Sequence, residues 1–100
     1  MEVCYRVKKL QKQYEIYAEA KRAYNESVAR KYIERINIIK KAKDIEVLCS
    51  LRSLKCHQLS GNRKGEWSVK LTGYYRLIFT LKGEFLEIVC IERVSKHYDE

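Results

Sequence analysis

The chain has 100 residues, and its 21 Lys and Arg residues outnumber its 13 Asp and Glu residues, which gives a formal net charge of +8. This length suits one domain, residues 1–100, with one modest core. The excess of positive charge favours a polyanion or an acidic protein as the partner. No apolar run is long enough to span a membrane, so a cytoplasmic location is expected.

The cysteines are scattered and include no Cys-x-x-Cys pair of the kind found in many zinc sites; they are Cys4, Cys49, Cys56 and Cys90. This spacing argues against a metal site, and no cofactor is indicated. In a reducing cytoplasm the thiols are expected to stay reduced and mostly to act as small buried hydrophobes.

The first half of the chain has the apolar spacing of helices, with side chains recurring every three, four or seven residues. A first helix is predicted between Tyr5 and Tyr24. Asn25 opens a run of good capping residues, after which a second helix carries Val28, Tyr32, Ile36 and Ile39. Two helices joined this tightly form an antiparallel hairpin.

Two shorter elements flank this hairpin. Asp44 is expected to cap a short third helix that carries Ile45, Leu48, Cys49 and Leu51. The stretch Val3–Val7 fits either an edge strand or the start of the first helix.

The second half contains all four glycines and changes to the period-two alternation of strands. Strands are predicted around Trp67–Leu71, over Tyr75–Leu81 and over Phe85–Val94, with turns at Thr72-Gly73 and 82–84. Trp67 and Phe79 are expected in the core. Three strands joined by tight turns make an antiparallel meander, so the predicted fold class is α+β, a two-helix hairpin packed on a small twisted antiparallel sheet.

Positive charge concentrates in residues 52–76, which carry six basic side chains and one acidic one. Gly61 and Gly65 would allow the backbone to approach a phosphate closely. The segment is either a solvated basic loop or a nucleic-acid surface. In the second case the candidate RNA-binding side chains are Lys55, Arg63, Lys64, Lys70 and Tyr74, with Tyr75 as a further stacking candidate.

Three groups in the second half of the chain could take part in catalysis. His57 precedes the basic loop, and imidazole exchanges protons near neutral pH. Arg76 lies in the predicted central strand, where a guanidinium could grip a phosphate. The third group is the C-terminal cluster His97, Tyr98 and Asp99.

Each group also has a purely structural interpretation. The histidine could simply support the fold, and Arg76 could form a salt bridge with Glu87 or Glu92 on the next strand. The C-terminal cluster could be a frayed tail.

These residue types suit RNA cleavage without a metal. A base removes the proton of the ribose 2′-hydroxyl, which then attacks its own phosphodiester. An acid protonates the leaving 5′-oxygen, and a cation stabilises the phosphorane. Histidine, tyrosine and arginine can fill these roles.

The motif LxxHxLxGxRKGxWSxxLxxxYRLIF, which spans Leu54 to Phe79, resembles the HigB-type plasmid maintenance killer proteins of the RelE/ParE toxin superfamily. The resemblance implies a RelE-like fold and a type II toxin that cleaves messenger RNA in the ribosomal decoding site. It also implies a cognate HigA-like helix-turn-helix antitoxin. The alternative within the superfamily is a ParE-like toxin that inhibits gyrase by binding, without nuclease activity.

The resemblance assigns residues one by one. His57 matches the histidine before the glycine-containing basic loop, and Arg76 matches the strand arginine. His97, Tyr98 and Asp99 resemble the C-terminal group of related ribonucleases, but the order here is His-Tyr-Asp where many members end with Asp-Tyr-His. Catalytic roles are therefore expected for His57, Arg76 and His97 or Tyr98, and an RNA-binding role for Asp99.

Overall fold

The computed structural model describes residues 1–63 and 65–96. Four helices come between the first strand and the rest of the sheet. The elements are β1 (Glu2–Tyr5), α1 (Lys8–Glu15), α2 (Tyr17–Ala23), α3 (Glu26–Lys41), α4 (Ile45–Ser50), β2 (His57–Gln58), β3 (Glu66–Lys70), β4 (Tyr75–Lys82) and β5 (Ile88–Lys96), with short 3₁₀ turns at Arg52–Leu54 and Gly61–Arg63.

The predicted first helix is wrong as a single element, because the chain breaks it at Ile16. This residue has extended dihedrals, φ −123° and ψ 104°, and lies between α1 and α2. Its amide nitrogen donates to the carbonyl of Lys12, and its own carbonyl accepts from Glu19 and Ala20, so it ends one helix and starts the next. The break lets the hydroxyl of Tyr24 reach back to buried Gln13.

The second predicted helix is confirmed as α3. The side chain of Asn25 accepts a hydrogen bond from the amide of Val28 at 2.9 Å and caps its N-terminus. The apolar face is fully buried and consists of Val28, Ala29, Tyr32, Ile36 and Ile39.

The predicted third helix is also confirmed, as α4. The side chain of Asp44 accepts from the amide of Val47 at 2.9 Å. Leu48 is completely buried, whereas Leu51 lies beyond the last helical residue and is exposed.

The strands form one five-stranded sheet in the order β1-β5-β4-β3-β2. All pairs are antiparallel except β1 with β5, which is parallel. The alternative left open at Val3–Val7 is thus resolved in favour of an edge strand. The two-residue strand β2 was not predicted.

The third predicted strand starts too early, since β5 begins at Ile88 and not at Phe85. Residues 83–87 form the turn, in which Gly83 and Leu86 have positive φ values of 95° and 56°. Phe85 is 81% exposed there. The strand was predicted to begin too early because the apolar side chains Phe85 and Leu86 in this turn resemble the pattern of a strand.

The core lies between the helices and one face of the sheet. From the sheet it receives Val69, Leu77, Phe79, Val89 and Ile91, and the Trp67 ring stacks on that of Phe79. Within residues 1–63 and 65–96, the helices that form this core do not pack on the opposite face of the sheet. None of the described helices is long and apolar enough to cross a membrane.

The cysteines were expected to be mostly buried, but only one of them is. Cys90 is buried, but Cys4 and Cys56 are half-buried and Cys49 is exposed.

Candidate nucleic-acid interface

The sheet face opposite the helices, called the open face below, is polar and basic. Because paired residues on adjacent strands share a face, the register identifies its members. They include His57, Glu66, Ser68, Lys70, Arg76, Ile78, Thr80, Cys90, Arg93 and Ser95. Among these, Ser68, Ile78, Cys90 and Ser95 are buried.

His57 lies in β2 directly opposite Ser68 and is exposed. Its Nδ1 is 2.9 Å from the carbonyl oxygen of Lys55. A carbonyl can only accept, so Nδ1 carries the hydrogen in this contact, and in the neutral ring Nε2 presents a lone pair. The imidazole is therefore oriented to accept a proton through Nε2.

Arg76 lies near the start of β4, between Lys70 of β3 and Ser95 of β5. Its Nη1 atom is buried, so the guanidinium lies close to the sheet. The two carboxylates that could pair with it have other contacts as well: Glu92 accepts from Thr80 at 2.9 Å, and Glu87 accepts from the amide of Phe85 at 3.1 Å.

The sheet brings His57 and Arg76 onto one face. They are separated by β3 and by an offset of two residues along the strands, which places their Cα atoms about 12 Å apart at ordinary sheet spacings. Both side chains can reach toward a ligand on the sheet between them.

The predicted RNA-binding residues take different positions. Lys70 neighbours Arg76 on the open face, Arg63 ends the 3₁₀ turn before β3, and Lys55 is exposed beside His57. Tyr74 is 72% exposed in the β3–β4 turn, as stacking on a base would require. Tyr75 does not suit this role, since its ring packs against the core.

Four predicted site residues, Lys64, His97, Tyr98 and Asp99, lie outside the described residues. Their assignments stay predictions.

Sequence reasoning missed Arg93. Its guanidinium makes two hydrogen bonds to the carboxylate of Glu66, at 2.7 and 2.9 Å, and so bridges β5 to β3 across β4. These hydrogen bonds, opposed by partial burial, hold the pKa of Glu66 below its usual range, and the charge of Arg63 acts in the same direction. The open face is thus electropositive around its one carboxylate in β3.

The comparisons with known proteins agree with this architecture. A family model described as "RelE-like toxin of type II toxin-antitoxin system HigB" matches residues 4–92. No curated protein sequence matches the chain.

Several solved structures share the fold. YafQ from E. coli strain BL21(DE3) is 15% identical with a TM-score of 0.64, covering 98% of this chain and 94% of its own. The YoeB/ParE toxin from Agrobacterium tumefaciens is 18% identical with a TM-score of 0.58, covering 98% and 100%. The E. coli DinJ-YafQ toxin-antitoxin complex is 16% identical with a TM-score of 0.54, covering 98% and 93%.

The fold likeness agrees with the family match, which extends over most of the chain. The chain therefore belongs to the HigB-like family, the RelE-like toxins of type II toxin-antitoxin systems.

Proposed function

We propose that this toxin cleaves messenger RNA on the cytoplasmic ribosome without a metal ion, by attack of the ribose 2′-hydroxyl on the adjacent phosphodiester. Ribosome-dependent mRNA cleavage is the activity of its family. The observation that carries the residue-level proposal is the placement of the His57 imidazole and the Arg76 guanidinium on one basic open face.

His57 acts as the general base. The contact from Nδ1 to the Lys55 carbonyl orients the ring and leaves Nε2 to accept the 2′-hydroxyl proton. Its exposure allows an RNA strand to reach it without rearrangement of the sheet.

Arg76 holds the scissile phosphate and stabilises the charge that develops on the phosphorane. It is supported on both sides by neighbouring strands, which limits the freedom of its backbone. Lys70 beside it and Arg63 at the edge of the face bind flanking phosphates, and Tyr74 stacks on a base. Lys64 and Asp99 complete the RNA contacts.

The leaving 5′-oxygen needs a proton donor. We assign it to His97 or Tyr98, the two candidates that the family resemblance provides. The proposed neutralising partner is a HigA-like helix-turn-helix antitoxin. An antitoxin follows from the family, and the DinJ-YafQ and YoeB-YefM structures are toxin-antitoxin complexes.

Purified ribosomes translating a defined transcript test the proposal, with primer extension to map the cut. His57→Gln and Arg76→Ala should each reduce the cleavage rate by about 10²–10⁴-fold, as loss of proton transfer or charge stabilisation does elsewhere. Lys21→Ala, which removes an exposed charge from α2, is the matched control and should cleave normally.

The chemistry is read from the products. Attack by the 2′-hydroxyl leaves a 2′,3′-cyclic phosphate and a 5′-hydroxyl, and a 2′-deoxy substitution at the cleaved nucleotide should abolish cutting. A 5′-phosphate product would refute the metal-independent mechanism. Growth arrest with intact transcripts and inhibited supercoiling would instead establish the gyrase-binding alternative, which the family match does not favour.

A further inference from the structure

Two cysteines outside the proposed active site lie in contact. The Sγ atoms of Cys49, in the last turn of α4, and Cys56, just before β2, are 3.4 Å apart. A disulfide requires an S–S distance of about 2.05 Å, so closure needs an approach of about 1.4 Å. Cys49 is exposed and Cys56 half-buried, so solvent reaches the pair from the Cys49 side.

The backbone between the two cysteines is built to return on itself. Leu51 donates to the carbonyl of Leu48, Leu54 to that of Leu51 and Lys55 to that of Arg52. Leu54 is completely buried and anchors the turn, and Lys55 takes a left-handed conformation with φ 47°. The fold of this turn therefore keeps the two thiols close to each other.

We propose that Cys49 and Cys56 form a redox modification site, which a low-molecular-weight disulfide closes reversibly to an intramolecular disulfide, and that closure displaces His57. The inference does not depend on the proposed function.

The reaction is a double thiol–disulfide exchange. The Cys49 thiolate attacks one sulfur of the reagent, forms a mixed disulfide and releases one reagent thiolate, which takes up a proton. The Cys56 sulfur then attacks Cys49 Sγ, and the second reagent thiolate leaves with the Cys56 proton. Two protein thiols are oxidised, and one reagent disulfide is reduced to two thiols.

Burial, and next the hydrogen bond with Cys49, raise the pKa of the Cys56 thiol. Since the thiolate is the nucleophile, Cys49 attacks the reagent first and the Cys56 step is slow.

The link to His57 is direct. His57 follows Cys56 in the chain, and its ring contacts the carbonyl of Lys55, which precedes Cys56. Movement of Cys56 toward α4 therefore shifts both the backbone of His57 and the carbonyl that orients its ring.

The chain supplies an internal control in a second thiol pair. Cys4 and Cys90 are opposite each other on the parallel strands β1 and β5, and Cys90 is only 5% exposed. Cys4→Ala removes one thiol of that pair and leaves the proposed site intact.

The test incubates the purified toxin with oxidised glutathione and measures intact mass and disulfide-linked peptides after blocking free thiols. The wild type and Cys4→Ala should each lose about 2 Da through a Cys49–Cys56 link that dithiothreitol reverses. Cys49→Ala and Cys49→Ser should form no such link. The imidazole NMR signals of His57, assigned with His57→Gln, should shift on oxidation of the wild type and Cys4→Ala but not of the Cys49 variants.

Three outcomes would overturn the inference. They are a glutathione adduct or a linked dimer without the internal bond, a bond that joins Cys4 to Cys90 instead, and a Cys49–Cys56 bond that leaves the His57 signals unchanged. RNA cleavage is not measured, so failure of the proposed function leaves the result interpretable.

Discussion

The two hydrogen bonds between Glu66 and Arg93 cross over the central strand β4, so they join residues from strands that do not pair with each other. The carboxylate side chain is 21% exposed and the guanidinium 38%, which leaves the pair partly screened by water. Such a pair contributes modestly to stability, on the order of 0.5–1 kcal/mol.

The lowered pKa of Glu66 gives this contribution a definite pH dependence. Because the folded carboxylate has the lower pKa, its stabilisation is fully present above the unfolded value, near 4.3, and is lost as pH falls through the folded value. Glu66→Gln should therefore lower the free energy of unfolding by about 0.5–1 kcal/mol at pH 7, and by less at pH 3. Urea unfolding at both pH values measures this, and the exposed Glu84→Gln is the control. A deficit that grows toward pH 3 would contradict it.

Leu86 has a strained backbone that a substitution can relieve. Its φ of 56° is unfavourable for a leucine, and the side chain is 53% exposed, so little packing compensates. Leu86→Asn should raise the free energy of unfolding by about 0.5–1 kcal/mol, because asparagine tolerates the left-handed region. Thermal unfolding measures the gain. Phe85→Asn is the control, because Phe85 lies in the same exposed turn but does not have a positive φ, and it should not raise the free energy of unfolding. An equal increase in both variants would mean that the gain comes from lower surface hydrophobicity and not from relief of backbone strain.

At the level of elements, the Asn25 cap contributes to the stability of the longest helix. Asn25→Ala removes the acceptor for the Val28 amide at the start of α3 and should cost about 1 kcal/mol of unfolding free energy. Asn25→Ser keeps an acceptor and should retain most of the stability. Chemical denaturation distinguishes the two, and equal losses would show that the cap bond is unimportant.

Elements governed by local pattern were predictable from the sequence. The spacing of Val28, Tyr32, Ile36 and Ile39 predicted α3, and alternation predicted β3 and β4. The break at Ile16 was not predictable, since it is fixed by tertiary contacts such as the hydrogen bond of Tyr24 to Gln13. The parallel pairing of β1 likewise depends on a partner far away in the chain.

The same limit applies to the site. His57 and Arg76 were predicted as site residues because their residue types and the motif point to chemistry, although β2 was not predicted. Arg93 was missed because a register irregularity opposite Ile78 and Phe79 shifts the alternation of β5. A strict period of two places Arg93 with Val89 and Ile91 on the core face, and nothing in the sequence marks the bulge.

At the level of the whole molecule, the net charge of +8 predicts how binding responds to salt. Phosphate contacts release counterions, so the logarithm of RNA affinity falls by about 0.7 per contact for each tenfold rise in salt. The same positive charge predicts that the antitoxin binds through an acidic segment, and this binding should weaken less with salt. Binding titrations with ribosomes and antitoxin across a salt series measure both slopes, and equal slopes would contradict the expectation.

The parallel pairing of β1 with β5 has a consequence in time. Glu2 pairs with Ile88, so the first strand cannot pair until the ribosome has made a strand that lies 86 positions later. At synthesis rates of roughly 5–20 residues per second, this delay is on the order of 4 to 17 s. During that interval β1 has no strand to pair with, and an antitoxin already present has those seconds to meet the toxin before its sheet is complete.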